Sequence, residues 1–554
     1  MSRNMKFVLV LSICGALLAV FMIFIVTAPE EILRFGDIPV TTLDKINGDT
    51  GILVDDPAFI HVTNTLEMRE LIKKTISYKI YLENTPIDGI SPLLIQSFTE
   101  PYTFQKGILT FRGSPMRDWG AIGKLKSQKF SLSVDWANKT GQSPIWGGGG
   151  GWTGQPLLVQ WTQAQKSNMH IPAKFKDNPE FTEVIFASLD GRIYFYDFDT
   201  GEKTRPPINV GNPIKGTPSI DPRGLPLLYV GEGVPQQGKQ KYRIYSLLDQ
   251  KLLYSISGGD PQAYRVWGGF DSSGIVNSKS DILITGGENG ILYIAKLNTE
   301  YDLAKGKLSI SPKLYKYVYH YKSGAGKKKV YGIENSVAVY KNLLYFSDNC
   351  GTIQCVDLIN LKPLWIKDVK DDTDASIVVE AEMGVPFLYT GCEVDIQGAK
   401  GYSYVRKING LTGDTIWETR YVCRSLPERN GGVFATPMIG KQNLSNMVVF
   451  TLAYYQTVER GLMVALDKTT GGELWRWEMT NYSWSSPTGV YDGEGNGYIV
   501  QCDSAGNVNM LAGNSGSILT KLKLPNNIQS TPVFYKDSIL IAERGNKLYK
   551  ISVQ

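Results

Sequence analysis

The stretch 462–477, LMVALDKTTGGELWRW, decides the fold. Met463 to Asp467 carries enough apolar residues for a buried strand, and Glu473 to Trp477 resumes a period-two pattern after a turn. The pair reads as a hairpin. Asp467 hydrogen-bonds forward into the turn, and Gly471 supplies the left-handed residue that a type I turn with a bulge requires. Trp475 then offers a large flat anchor to a neighbouring layer.

The pieces of this hairpin recur. Asp or Asn, two residues, Thr or Ser, then Gly stands at Asp197, Thr200, Gly201, again at Asn409, Thr412, Gly413, and in weaker form at Ala512, Ser515, Gly516. The 212 residues from Gly201 to Gly413 divide into four steps of 53, with degenerate copies at 245–249, 293–298 and 354–360. Such a period means a propeller, a solenoid or an array. Each unit is β in character, rich in Val, Ile, Leu, Tyr and Phe and punctuated by Gly, Asn and Asp. The expected fold is therefore an all-β propeller of four-stranded antiparallel blades.

Inner strands are expected at Pro156, Gly216 to Ser219, Val266 to Phe270, Glu334 to Val337, Ala375 to Val378, Thr436 to Met438, Ser486 to Thr488 and Thr531 to Val533. Eight starts predict eight blades, with seven as the alternative because the second and third units are degenerate. The last unit supplies only three strands, TPVFY, SILIA and KLYKI, and 129–136, KFSLSVDW, is the natural fourth. Closing the ring with a strand from the other chain end removes two sheet edges at once. Trp136, Trp365, Trp417 and Trp475 fall at outer strands and are assigned structural docking roles.

The remaining chain divides at 6, 26 and 128. Residues 7–26, FVLVLSICGALLAVFMIFIV, follow Arg3 and Lys6 and can cross a bilayer as one helix, with residues 1–6 inside and the rest outside the cytoplasm. A cleaved signal peptide is the rival reading, since Val26, Thr27 and Ala28 are small residues in suitable places. Cys14 follows a faint lipobox that bulky Ile13 spoils. Residues 27–128 lack the repeat and read as an extracytoplasmic stalk with a small packing element, including a helix over 66–82 capped by Asn64 or Thr65. Residues 129–554 form the propeller.

With 58 basic and 53 acidic residues the net charge is +5, too small over this surface to imply nucleic acid. Lys327 to Lys329 and Lys322 read as a solvated loop. Only His61, His170 and His320 exist, so spacing suggests neither a three-histidine metal site nor a hydrolytic triad. The glycines at 147–151 lack the Lys–Ser/Thr and the helix of a phosphate loop. Asp492, Glu494 and Asn496 resemble a calcium loop without its downstream Glu and read as an ordinary turn. No metal site is expected. Cys350 and Cys392 fall near corresponding blade ends, but five cysteines beyond residue 26 fix no pairing.

Ala465, Leu466, Asp467, Thr470, Gly471, Leu474 and Trp475 together resemble the pyrroloquinoline-quinone (PQQ) type propeller repeat, over roughly 130–554. FRGSP at 111–115, WTGQPLLVQW at 152–161 and WSSPTGVYD at 484–492 resemble membrane-anchored or exported bacterial members of that family. The resemblance implies a tryptophan docked on the adjacent blade. The quinone dehydrogenases of this fold hold PQQ with a vicinal disulfide and a calcium ion. This sequence has no adjacent cysteines and no C-x-x-C-H, so no catalytic residue carries over. The noncatalytic branch, which includes the propeller lipoprotein of the outer-membrane assembly machine, is closer.

The expected function is a noncatalytic, envelope-anchored scaffold that presents loops on a rigid support to an envelope protein, a glycan or a small ligand, with no cofactor. The alternative is an oxidoreductase holding PQQ and calcium in the central channel. Trp146, Trp152, Trp267, Glu334, Asn335, Asn430 and Trp484 are the candidate channel and ligand-face residues.

Overall fold

In the computed structural model the founding hairpin consists of strands Gly461–Asp467 and Glu473–Met479, with a bulge in register between Ala465 and Leu466. Asp467 Oδ1 accepts from the Thr469 and Thr470 amides at 3.0 and 2.8 Å, and Gly471 takes φ +72°. The structure describes residues 52–53, 59–62, 64–91, 94–126, 129–152, 154–322 and 331–554. The chain divides into Met1–Val54 and Asp55–Gln554, and the second unit carries the architecture that follows. The apolar run 7–26 and the lysines 327–329 lie outside the described residues. Among those residues no helix is long and apolar enough to cross a membrane.

Eight antiparallel sheets follow one another. Their inner strands are Leu157–Gln160, Ser219–Ile220, Ile275–Asn277, Ala338–Tyr340, Val378–Glu382, Met438–Ile439, Thr488–Tyr491 and Val533–Lys536. The fold is an eight-bladed propeller. In blade 3 the inner strand begins at Ile275, five residues beyond the end of the expected Val266 to Phe270, because 267–274 are spent on the loop that reaches the channel. Blade 8 is closed by Leu132–Lys139, which pairs antiparallel with Lys547–Val553, so the two ends of the propeller sequence share one sheet.

The predicted helix over 66–82 is half strand. Leu66–Thr75 is helical, and Thr65 Oγ1 caps it by accepting from the Met68 amide at 3.1 Å. Ile76–Leu82 then runs as a strand on the outer edge of blade 3, in register with Tyr315 to Tyr321. ISYKIYL is β-branched and aromatic at alternate positions, and blade 3 offers an unpaired edge. Pairing covers that edge and buries Ile76 and Ile80 with Ile366 of blade 4 in one core.

Outer-strand tryptophans tie blade to blade. Nε1 of Trp136, Trp365, Trp417 and Trp475 donates to the carbonyls of Phe198, Gly410, Lys468 and Gly513, at 2.8 to 3.0 Å. Each ring also lies against the turn glycine of the next blade, Gly201, Gly413, Gly471 and Gly516 respectively. The repeat signature thus makes two things at once, a hairpin turn and the seat for the preceding blade.

The channel is plugged from one end by residues before the propeller. Val339 and Val379 of blades 4 and 5 donate backbone hydrogen bonds to Pro115 and Met116, and residues Phe534 to Lys536 of blade 8 pair in parallel with Ala121–Gly123. Two buried arginines fix the plug. Arg112 donates to the Pro487 and Pro437 carbonyls at 2.7 and 3.1 Å, and Arg117 to those of Val337 and Ser273 at 2.9 and 2.8 Å. Four blades are bridged by two side chains. Burial lowers both guanidinium pKa values to about 10.

Candidate functional site

Loops that lead from the outer strand of one blade to the inner strand of the next gather with the hairpin turns inside blades 3, 4 and 5 at the unplugged, upper mouth. Three of those loops bring Asp271, Glu334, Asp372 and Asp374, turns bring Glu288 and Asn349, and the short strand Glu393–Val394, paired with Gly431–Gly432, brings Glu393. The carboxylates form two clusters, Asp271 with Glu288 and Glu334, and Asp372 with Asp374 and Glu393, each with oxygens within 4.8 Å of one another. Asn349 Nδ2 links the clusters, donating to Glu334 at 2.9 Å and Asp372 at 3.2 Å.

The first cluster is neutralised from within. Lys215 Nζ is paired with Asp271 and lies 3.9 Å from Glu288 and 3.8 Å from Glu334, while Arg265 lies 3.9 Å from Glu334. Burial opposes the Lys215 charge, yet Asp271, Glu288 and Glu334 together hold its pKa well above the usual value. Its ammonium is also 5.6 Å from the Trp152 ring centroid. Burial pushes the Asp271 carboxyl up to about 6, against the pull of Lys215.

The second cluster has no such partner. Asp372, Asp374 and Glu393 are all buried, and among the described residues no base pairs with any of them. Asp374 and Glu393 meet carboxyl to carboxyl, and Asp372 Oδ1, Asp374 Oδ1 and Glu393 Oε1 have no donor among the described residues. Burial first, and neighbouring carboxylates second, raise all three pKa values well above the carboxylate range. Buried charge of one sign without compensation favours either protonation or a bound cation.

Across the mouth runs an aromatic arc. Trp152 meets Phe434 edge-on at 5.9 Å, Phe434 lies 5.0 Å from Trp484, and Tyr482 is 5.7 Å from Trp484 and 4.7 Å from Tyr454. The buried Trp484 Nε1 has no hydrogen-bond partner among the described residues. The mouth therefore has an acidic side from blades 3 to 5 and an aromatic side from Trp152 and blades 6 and 7.

Of the seven residues picked from sequence, five stand at this mouth: Trp152, Trp484, Trp267, whose indole donates to Glu288, Glu334, and Asn430, which donates to Glu393 at 3.2 Å. The other two serve the frame. Asn335 donates to the Ser347 carbonyl at 2.7 Å and so braces blade 4, and the Trp146 carbonyl accepts from Arg544 of blade 8 at 2.8 Å. Asp271, Glu288, Asp372, Asp374, Glu393 and Lys215 were missed. The acid run Asp371, Asp372, Asp374 just before an inner strand was the available signal.

No disulfide joins the five described cysteines, and all are buried, Cys350 and Cys392 included. The Asp492 turn is closed by its own carboxylate, which accepts from the Glu494 and Asn496 amides at 2.9 Å.

Among solved structures the chain is similar to the quinohemoprotein alcohol dehydrogenase from Comamonas testosteroni, with 11% identity and a TM-score of 0.53 over 80% of each chain. The chain has the quinoprotein-type propeller fold. BamB from Moraxella catarrhalis matches with 15% identity and a TM-score of 0.47, over 76% of this chain and 100% of its own. No family model matches this quinoprotein-type propeller, and no curated protein does. At these identities the likeness is one of fold, and no residue role passes across it.

Proposed function

We propose that this quinoprotein-type propeller is a noncatalytic binding protein of the cell envelope, held by the apolar segment 7–26 with the propeller outside the cytoplasm, and that its upper mouth takes a positively charged ligand. The observation that carries the reading is the triad Asp372, Asp374 and Glu393, buried, mutually repelling and without a base. A cation there satisfies three orphaned oxygens at once. The Lys215 ammonium, seated over Trp152 among three carboxylates, supports this reading.

PQQ does not fit this residue set. A tricarboxylate quinone would face six carboxylates whose only ion-pairing bases among the described residues are Lys215 and Arg265, both already engaged. The sequence also lacks the adjacent cysteines of the dehydrogenases. An envelope protein or glycan is the second ligand class. It is favoured by the loop 260–267, which exposes Tyr264 and Val266 beside Arg265 and Trp267 of the mouth.

Calorimetric titration of the full chain with calcium alone and with spermidine alone tests the reading and separates a hard cation, which carboxylates and carbonyls hold in flexible geometry, from an organic one. Saturable binding of either supports it. Binding of neither overturns it.

A further inference from the structure

At the plugged, lower mouth lies a cavity of about 1060 Å³. One wall is the plug and the residues leading into it, 97–122. The other comes from Tyr340, Ala381 and Tyr535 on the inner strands of blades 4, 5 and 8, and from Lys441 just beyond that of blade 6. A space that touches blades 4, 5, 6 and 8 is drawn out along the ring rather than round. Its volume is that of a small-molecule site.

Three observations give the ligand its chemistry. Polar side chains of the wall are satisfied within the protein. Thr103 donates to the Pro222 carbonyl and Ser114 to Asp118, each at 2.6 Å, while the Gln105 amide donates to the Gln160 carbonyl and accepts from Gln165. The charges offset one another. Lys441 holds Asp118 at 2.8 Å, and Lys341 is engaged by a partner of its own, which leaves exposed Lys106 and Glu100, one of each sign. Burial first, and Asp118 second, raise the Glu100 pKa. The wall therefore favours neither a cation nor an anion. The third observation is apolar surface. Phe104 is 90% exposed and Trp119 56%, the highest exposures of any aromatic side chain among the described residues. Both line the cavity, and neither has a reason in folding to face water. Phe98, Ile108, Met116 and Ile122 continue that surface.

We propose that this cavity binds an uncharged single-chain lipid, in its simplest form a long-chain alcohol. Its hydrocarbon lies along the ring over Phe98 and Met116, and Phe104 and Trp119 hold it at the opening. The driving force is apolar surface removed from water on both sides. The site shares no residue with the upper mouth, so neither reading depends on the other.

The test is photolabelling of the full chain with a diazirine analogue of decanol, mapped by mass spectrometry, beside the matching analogues of decanoate and decyltrimethylammonium. The expected result is labelling within 97–122 that excess decanol suppresses, and at least tenfold less labelling by each charged analogue. Trp119→Ala should reduce labelling at least tenfold with unchanged thermal melting, because its side chain is exposed. Phe104→Ala, more exposed still, gives the same reading if Trp119→Ala fails to fold. Ala381→Phe, which fills the cavity from the blade 5 side, should also suppress the label. A charged analogue that labels as strongly as the alcohol, no label or label placed elsewhere, or labelling that both aromatic variants retain overturns the proposal.

Discussion

Trp417 rests on Gly471 of the next blade so closely that a β-carbon added to the glycine would fall 2.7 Å from the indole. The same tryptophan donates to the Lys468 carbonyl at 2.9 Å. Gly471 is required twice, for φ +72° and for the space its missing side chain leaves. Gly471→Ala should therefore destabilise the protein by about 2 to 4 kcal/mol, combining strain at positive φ with overpacking. Gly472→Ala, whose β-carbon meets only the Thr470 hydroxyl at 3.3 Å, is the matched control. Trp417→Ala should cost about 3 to 5 kcal/mol. Urea denaturation reads all three, and equal midpoints for the two glycine variants would remove the docking role.

The plug makes a separate prediction. Arg117 donates to Val337, Ser273 and Phe111 carbonyls and to the Thr110 hydroxyl at 2.8 to 3.0 Å, and among the described residues no carboxylate pairs with it. A hydrogen bond from a charged donor contributes about 1.5 to 3 kcal/mol, and stranded buried acceptors add to the loss. Arg117→Met should lower stability by at least about 3 kcal/mol. Arg117→Lys should not rescue it, because one ammonium cannot reach carbonyls on two blades. Wild-type stability in either variant would mean that the plug is an ornament to the ring.

These two cases mark how far the sequence reaches. The hairpin, the repeat spacing and the closing strand were legible because period-two runs, turn glycines and outer tryptophans are local signals. The plug was not. FRGSPMRDW has no periodicity, and its order comes from arginines bonding to carbonyls more than 150 residues away. Ile76–Leu82 continued a helical spacing of isoleucines, and only the waiting edge of blade 3 decides that it is a strand. At the upper mouth, aromatic and amide residues beside inner strands were found from their positions. The carboxylate clusters were not, because Glu288 sits in a turn and Glu393 in a short strand between the strands of its blade, each brought to its partner acids only by the fold.

The carboxylates also set a pH dependence. Asp271 titrates in the folded protein at about 6, above the usual value near 3.9, so folding favours its protonated form. That contribution is full below the unfolded pKa and disappears as pH rises through about 6. Glu288, Asp372, Asp374 and Glu393 are shifted in the same direction. With divalent cations removed, Tm should fall between pH 5 and pH 7.5. Added calcium should restore it at pH 7.5 and do little at pH 5, where protons compete. A Tm that rises with pH under chelation would contradict the assignment of these groups as uncompensated.

Asp374→Asn keeps the shape and removes one of the repelling charges. At pH 7.5 without added cations it should stabilise the fold by about 1 to 3 kcal/mol, the scale of relieving a buried unpaired charge. Thermal melting against the wild type measures this. A destabilised variant would mean that Asp374 is held by a partner rather than left open for a ligand.

The most direct measurement is calorimetric titration of the full chain at pH 7.5 with calcium alone and with spermidine alone, for the wild type, Asp374→Asn and Glu393→Gln. The account predicts one saturable site for one of these cations in the wild type and its loss in both variants. Neither cation binding, or binding that both variants retain, would contradict it.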